Sequence, residues 1–292
     1  MLSIYKIASA DYYTALSSGT YEDYLSGAGE APGTWLGQGL AAFAEAAKAA
    51  GIEVPESVKA GQTIDERGAE WLRWTISQSS ADTVFPPQRR PDRTLKDREN
   101  AGKQAAPGRA GKAAGAWLAA YDLTFSAPTG VSILAELTDD EALRTAVHGC
   151  HDRAVNAAIA YAERVACWGR EGKDGVEVGP GGGFVAAAYR HRTARRSEKE
   201  AVLDPLTHTH VLVANVVEHP DGTWGALDGR AIYDWVHGLG AYYSAGLIAE
   251  LEAADIHLPW VERSAAPGQI EVDFPPDLLA AFGHDRDHIK EA

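Results

Sequence analysis

Polar and apolar positions alternate along several short runs and recur at helical spacing along two long ones. Strict alternation places every second side chain on one face of a strand, whereas apolar residues at i, i+3, i+4 and i+7 line one face of a helix. Residues Leu2 to Ile7, Ala119 to Ser126 (stopped by Pro128), Gly183 to Tyr189 with His191 just beyond, and Val211 to Val217 read as strands. Gly175 to Val178 and Gly183 to Tyr189 suggest a hairpin turning at Gly179-Pro-Gly-Gly-Gly, and Pro220-Asp-Gly reads as a turn before Trp224. Helical spacing predicts Gly39 to Ala50 (ended by Gly51), Asp65 to Ser77, the long stretch Asp139 to Trp168 carrying Leu143, Val147, Val155, Ile159 and Val165, and a second long helix over Asp234 to Ala253. Gly268 to Phe274 reads as a late strand. Gly19 to Gly33, rich in Gly, Ser and acids, reads as loop or broken helix around Tyr21 and Tyr24, and Pro86 to Gly115, without periodicity, as an exposed excursion. Mixed helices and mostly antiparallel strands predict an α+β architecture, one central sheet with helices packed on it.

Composition narrows the class. A chain of 292 residues with 45% apolar content supports a sizeable core, as one large domain or two small ones. No apolar run is long enough to span a bilayer and the N-terminus lacks a signal-peptide layout, so a cytoplasmic protein without membrane insertion is expected. Cys150 and Cys167 are the only two cysteines, which excludes a disulfide framework or a zinc ribbon. The net charge of −14 weighs against a polyanionic partner, but it is uneven. Pro86 to Lys112 holds eight Lys or Arg against three acids, Arg190 to Lys199 five against one, and Glu218 to the end fourteen acids against four.

The chemistry concentrates in His208-Thr209-His210, where strand alternation aims both imidazoles to one side. His191 ends another strand, and two neighbouring strands could bring three histidines around one ion with coordination positions left open, as a catalytic metal site requires. His148, His151, His219, His237, His257, His284 and His288 read as ordinary core or surface histidines. Tyr12, Tyr13, Tyr21 and Tyr24 cluster near the start. Alone they would be aromatic packing. Beside a divalent ion they suit phosphodiester transesterification, because the ion offsets the roughly 4 kcal/mol needed to ionise a phenol at pH 7. Asp122, within an apolar strand, needs a partner. It either orients a metal-bound imidazole or takes the tyrosine proton; otherwise it is a solvated strand-edge carboxylate.

Three blocks then carry a family resemblance: Met1-Leu-Ser-Ile with Tyr12-Tyr13, Tyr24 and Gly33-Thr-Trp-Leu-Gly37; Asp122-Leu-Thr-Phe-Ser-Ala-Pro128; and Arg190-His191-Arg-Thr-Ala-Arg195 with Asp204-Pro-Leu-Thr-His208-Thr-His210-Val-Leu-Val-Ala-Asn215. Trp224-Gly-Ala-Leu-Asp228 and Tyr242-Tyr243 also fit. The chain resembles the relaxase domain of the TrwC/TraI (MobF) conjugative relaxases, within the HUH endonuclease superfamily. The resemblance implies a histidine-bearing sheet, about residues 1–230, and a mobile C-terminal helical part, about 231–292, closing over DNA, in a single relaxase domain without the helicase that full-length members carry. It implies metal-dependent, site- and strand-specific nicking of single-stranded DNA at an origin of transfer. By motif, His191, His208 and His210 would hold Mg, Mn or Zn, Tyr12 (with Tyr13 beside it) would be the first nucleophile, Tyr24 a second, and Asp122 the orienter or base. Arg190, Arg192 and Arg195 are expected to contact DNA. Accessory proteins of the relaxosome and a type IV coupling protein are the implied partners, with export of the protein on its DNA. Leu25 after Tyr24 and Thr129-Gly130 in place of the family's Lys-Ser depart from the pattern. Two other functions compete: a metallohydrolase using His-x-His, which needs a βα barrel, and a DNA-binding module that has lost catalysis.

Overall fold

The computed structural model describes residues 1–7, 32–79, 118–171, 177–194, 204–262 and 269–282. Its central sheet has five strands in the spatial order β1 (Leu2–Ile7), β3 (Ala120–Ser126), β7 (Pro205–Ala214), β6 (Ala186–Thr193) and β2 (Thr34–Leu36). All neighbours run antiparallel. This is the α+β layer arrangement that the alternating runs predict, and among the described residues there is no βα barrel of the kind the metallohydrolase alternative requires.

Period-two alternation gives the sheet two unlike faces. On β7, Val211 and Val213 join Leu123 and Phe125 of β3 in one apolar cluster with α3 (Thr129–Leu137), α4 (Glu141–Ala166) and α6 (Val236–Ala253). The residues between them, Leu212 and Ala214, join Ala187 and Tyr189 of β6 on the opposite face. There they pack under α1 (Gly39–Ala49) and α2 (Glu66–Ser79), where Trp35 meets Trp71 edge-on at 5.5 Å and Phe43 meets Trp71 at 5.7 Å. The helices follow from sequence. The Asp140 side chain accepts from the N–H groups of Ala142 and Leu143 and caps α4. On α6, Leu239, Tyr243, Leu247 and Leu251 recur every fourth residue and form one fully buried stripe. Among the described residues no helix is long and apolar enough to cross a membrane.

Three expectations change. The hairpin at residues 175–189 does not form. Instead β5 (Glu177–Pro180) pairs with β4 (Trp168–Glu171), and β6 joins the central sheet. The glycine run between them permits close backbone crossing rather than reversal: Gly181 N–H donates to Cys167 O, Gly182 N–H to Glu218 O, and a Cβ on Gly183 would lie 2.5 Å from Gly39 N. The strand expected over 211–217 begins at Pro205 and ends at Ala214, because Asn215 turns to bond Leu118 O and the Leu227 N–H with its side chain. Val217–Glu218 (β8) then pairs with Trp224–Gly225 (β9), the turn at Gly222 having φ +78°. The helix expected over Asp234 to Ala253 forms as α6, and a short helix that the pattern did not announce, α5 (Gly229–Asp234), precedes it across Trp235. Cys167 lies just past the end of α4 rather than inside it.

The described residues after 230 share the first core. Leu239, Tyr243, Leu247 and Leu251 pack in the same cluster as β3 and β7, and so does Val272 of β11 (Ile270–Val272), which pairs with β10 (Trp260–Glu262). The Glu271 carboxylate, buried, accepts from the N–H groups of Thr129 and Gly130 at 3.3 and 2.9 Å, so these two residues sit covered beneath β11.

Candidate metal centre

Register brings the histidines together. On adjacent strands His191 lies directly opposite His208, so both side chains share a face, and His210 shares it two residues on. The three ring centres form a near-equilateral triangle: 5.2 Å for His191–His208, 5.3 Å for His191–His210 and 5.0 Å for His208–His210. They lie on the face that α1 and α2 cover, with His191 buried and the other two half-buried.

Neighbours assign ring nitrogens. Asp122 lies on β3, two residues from Thr124, which pairs with His210. Its carboxylate accepts the Nδ1–H of His210 at 2.8 and 3.0 Å, and Thr124 Oγ1 sits 3.1 Å from Asp122 Oδ1 and 3.0 Å from the same Nδ1. His208 Nδ1–H donates to Leu206 O at 2.9 Å. Both rings therefore keep Nε2 as the atom with a lone pair to give. Burial, reinforced by the adjacent His210 and His191, pushes His208 down to about 3, so it is neutral at pH 7 and in the form that binds metal.

This donor set fits a divalent ion. With ion–nitrogen distances of about 2.1 Å, three imidazoles around one ion place their ring centres about 5 Å apart. Among the described residues no group of three or more His, Cys, Asp or Glu side chains could hold an ion as it stands. The strands thus set the positions of the rings on one face.

On the other face of β7, Thr209 sits between the two histidines. Its Oγ1 is 2.8 Å from Nε2 of the buried His151 on α4, whose Nδ1 is 2.8 Å from the Tyr243 hydroxyl on α6. His148 bonds Glu136 at 2.7 Å. Both behave as the ordinary hydrogen-bonded histidines expected from sequence.

The arginines are not where expected. On β6, alternation turns Arg190 and Arg192 to the face opposite His191. Arg190 pairs with Asp152 of α4, and Arg192 Nε lies 2.5 Å from Glu136 of α3. They fasten helices to the sheet and do not line the histidine face. Tyr12, Tyr13, Tyr21, Tyr24 and Arg195 lie outside the described residues. Thr124 is a site residue that the sequence reading passed over, although its place two residues after Asp122 puts it on the same face.

A family model described as TrwC relaxase matches residues 7–292. The multifunctional conjugation protein TraI of Escherichia coli is 42% identical over 108 residues, which cover 37% of this chain and 6% of TraI. The TraI of strain K12 is 41% identical over the same length and shares. Solved structures of the conjugative relaxase TrwC in complex with oriT DNA match the whole fold: a metal-free one with TM-score 0.64 at 24% identity and a metal-bound one with 0.63 at 23%, each match covering 100% of this chain and 82% of that one. A TrwC structure with a 27-mer DNA comprising the recognition hairpin and the cleavage site matches with TM-score 0.62 at 24% identity, over 100% of this chain and 81% of that one. The family match spans nearly the entire sequence and the sheet carries its three histidines on one face: the chain belongs to the TrwC relaxase family.

Proposed function

We propose that the chain is the nicking part of a conjugative relaxase, cutting single-stranded DNA at an origin of transfer by transesterification to Tyr12. The observation that carries this reading is the triangle of imidazoles 5.0–5.3 Å apart with the Asp122 carboxylate on His210.

His191, His208 and His210 would hold a divalent ion, Mg, Mn or Zn. When bound, the ion supplies polarisation of the scissile phosphodiester and neutralises the charge that develops on it. Asp122 holds the His210 ring with Nε2 directed away from the strand, and with both its oxygens at Nδ1 it acts as orienter rather than base. The Tyr12 oxygen forms a bond to phosphorus as the bond from phosphorus to O3′ breaks. The phenolic proton is released and O3′ takes one up. One phosphodiester replaces another, so no ATP is consumed and the 5′-phosphotyrosine link can be resealed.

The tether supports Tyr12. Ile7 lies opposite Ala120, which lies opposite Ala214. From there the His210 Cα is roughly 17 Å away, four residues along β7 and two strands across. Five extended residues span roughly 17 Å, and the phenol adds its own reach. Tyr13 shares that tether, and Tyr24 stands as the second nucleophile. Closure over the DNA is assigned to the C-terminal part, about residues 231–292, outside the α6 stripe and Val272, which are core. Accessory proteins, a coupling protein and export with the attached strand complete the proposed setting.

The test is covalent capture. Tyr12→Phe, incubated with metal and single-stranded transfer-origin DNA, is expected to give no denaturant-stable protein–DNA adduct while binding DNA within about twofold of wild type. Undiminished adduct would overturn Tyr12 as nucleophile, and absence of adduct from the wild-type protein would overturn the nicking function itself.

A further inference from the structure

Two described phenols lie on the histidine face. Tyr189 is opposite His210, but it is 2% exposed beneath α1 and α2, and burial pushes its pKa up. Tyr5 is different. On β1 it is directly opposite Asp122, so its side chain projects from the same face as Asp122, Thr124 and His210. β1 is an edge strand, and Tyr5 is 58% exposed, although its neighbours on the strand, Leu2 and Ile4, pack into the core. Its successor Lys6 faces the other side, where its Nζ stands 5.8 Å from the centre of the Tyr233 ring.

A single exposed aromatic ring is ordinary on a protein surface; what sets Tyr5 apart is its place on the histidine face, opposite Asp122. Two strand spacings separate the Tyr5 Cα from β7, which places it roughly 10–12 Å from the His210 Cα. That distance matches one or two nucleotides from a phosphate held by the histidines. An unpaired base presents a flat apolar face, and aromatic side chains are the usual platform for it because every base has a π-face. Tyrosine adds rigidity, with only two side-chain torsions to fix.

We propose that Tyr5 is a stacking subsite for an unpaired nucleobase flanking the scissile phosphate, so that the edge strand holds the DNA at a set distance from the histidines. This rests on the nicking function proposed above. The subsite is indifferent to base identity, since stacking reads the ring face and not its edges. It positions the strand and takes no part in bond exchange.

The experiment uses the whole chain with metal and single-stranded transfer-origin DNA carrying 2-aminopurine at successive positions either side of the nick. Wild type is expected to quench one of those positions on binding. Tyr5→Phe keeps the quenching, the affinity and the adduct yield. Tyr5→Ala loses the quenching at that position and binds roughly five- to hundredfold more weakly, yet at saturating DNA it still forms adduct on Tyr12. Quenching and affinity unchanged in Tyr5→Ala would overturn the subsite while leaving the nicking function intact. A Tyr5→Phe variant as impaired as Tyr5→Ala would also overturn it, by placing the effect in the hydroxyl. Absence of adduct in wild type would overturn the function on which both depend. Circular dichroism of the three proteins separates these outcomes from misfolding.

Discussion

At the scale of single residues, the centre depends on second partners that fix rings. In the proposed metal centre Asp122 holds one tautomer and one orientation of His210, with Thr124 bridging the pair. Such carboxylates change ion affinity through the ligand they hold, typically by roughly 10–100-fold. Asp122→Asn is therefore expected to weaken Mn binding by roughly that factor in a calorimetric titration while the far-ultraviolet spectrum stays unchanged. Wild-type affinity in the variant would remove Asp122 from the site's function. The same reasoning explains why residue type alone misled at Arg190 and Arg192. Their charge suggested DNA, yet each sits one position from His191 and so faces the helices. Alternation, already decisive for His208 and His210, was sufficient to say so.

At the scale of elements, the short loop of interactions around Glu136 ties α3 and α4 to β6 and β7. Glu136 meets His148 of α4, Arg192 of β6 and Thr207 of β7 through its two oxygens. Burial raises its pKa, but the hydrogen bonds from His148 and Arg192 outweigh this and hold it below the usual carboxylate value. Thr207 immediately precedes His208, so the network steadies the strand from behind. Arg192→Met is expected to lower unfolding free energy by about 1–3 kcal/mol, since it leaves a buried carboxylate short of a partner. It should leave affinity for DNA within about twofold, because the side chain lies on the far face. Chemical denaturation and a filter-binding assay read the two effects. A loss of DNA affinity with unchanged stability would reinstate the arginine as a DNA contact.

At the scale of the whole molecule, the two long helices α4 and α6 are joined to one face of the sheet by groups that must remain neutral. His151 is fully buried between Thr209 of β7 and Tyr243 of α6, and burial, with Arg190 and His208 adding repulsion, puts its pKa well below 6.5. A histidine depressed in the folded state stabilises fully above its unfolded pKa, and that contribution is lost as pH falls through the window below about 6.5 toward the folded value. The unfolded chain takes up a proton there that the folded chain refuses. The slope is at most about 1.4 kcal/mol per pH unit. Carboxylates held low, such as Glu136 and Asp228, act in a separate window below their ordinary values of 4.5 and 3.8. His151→Gln is therefore expected to flatten the dependence of stability on pH between 7.5 and 5.5 relative to wild type, measured by denaturation at several pH values. Parallel curves for the two proteins would show that His151 does not couple protons to folding.

Local pattern determined much of this protein. Alternation and helical spacing located β1, β3, β7, α1, α2 and α4, and the order of the tyrosine, Ser-Ala-Pro and His-x-His blocks identified the family, because these signals are carried by neighbours along the chain. Only the tertiary structure decided which strands are adjacent, and therefore that His191 stands opposite His208 and Tyr5 opposite Asp122. It also turned the glycine run at 179–183 from a hairpin into a crossing, and set the short helix α5 before the last long one. Strand order and register arise from packing between segments far apart in sequence. A local pattern says which way a side chain faces but is silent about what meets it.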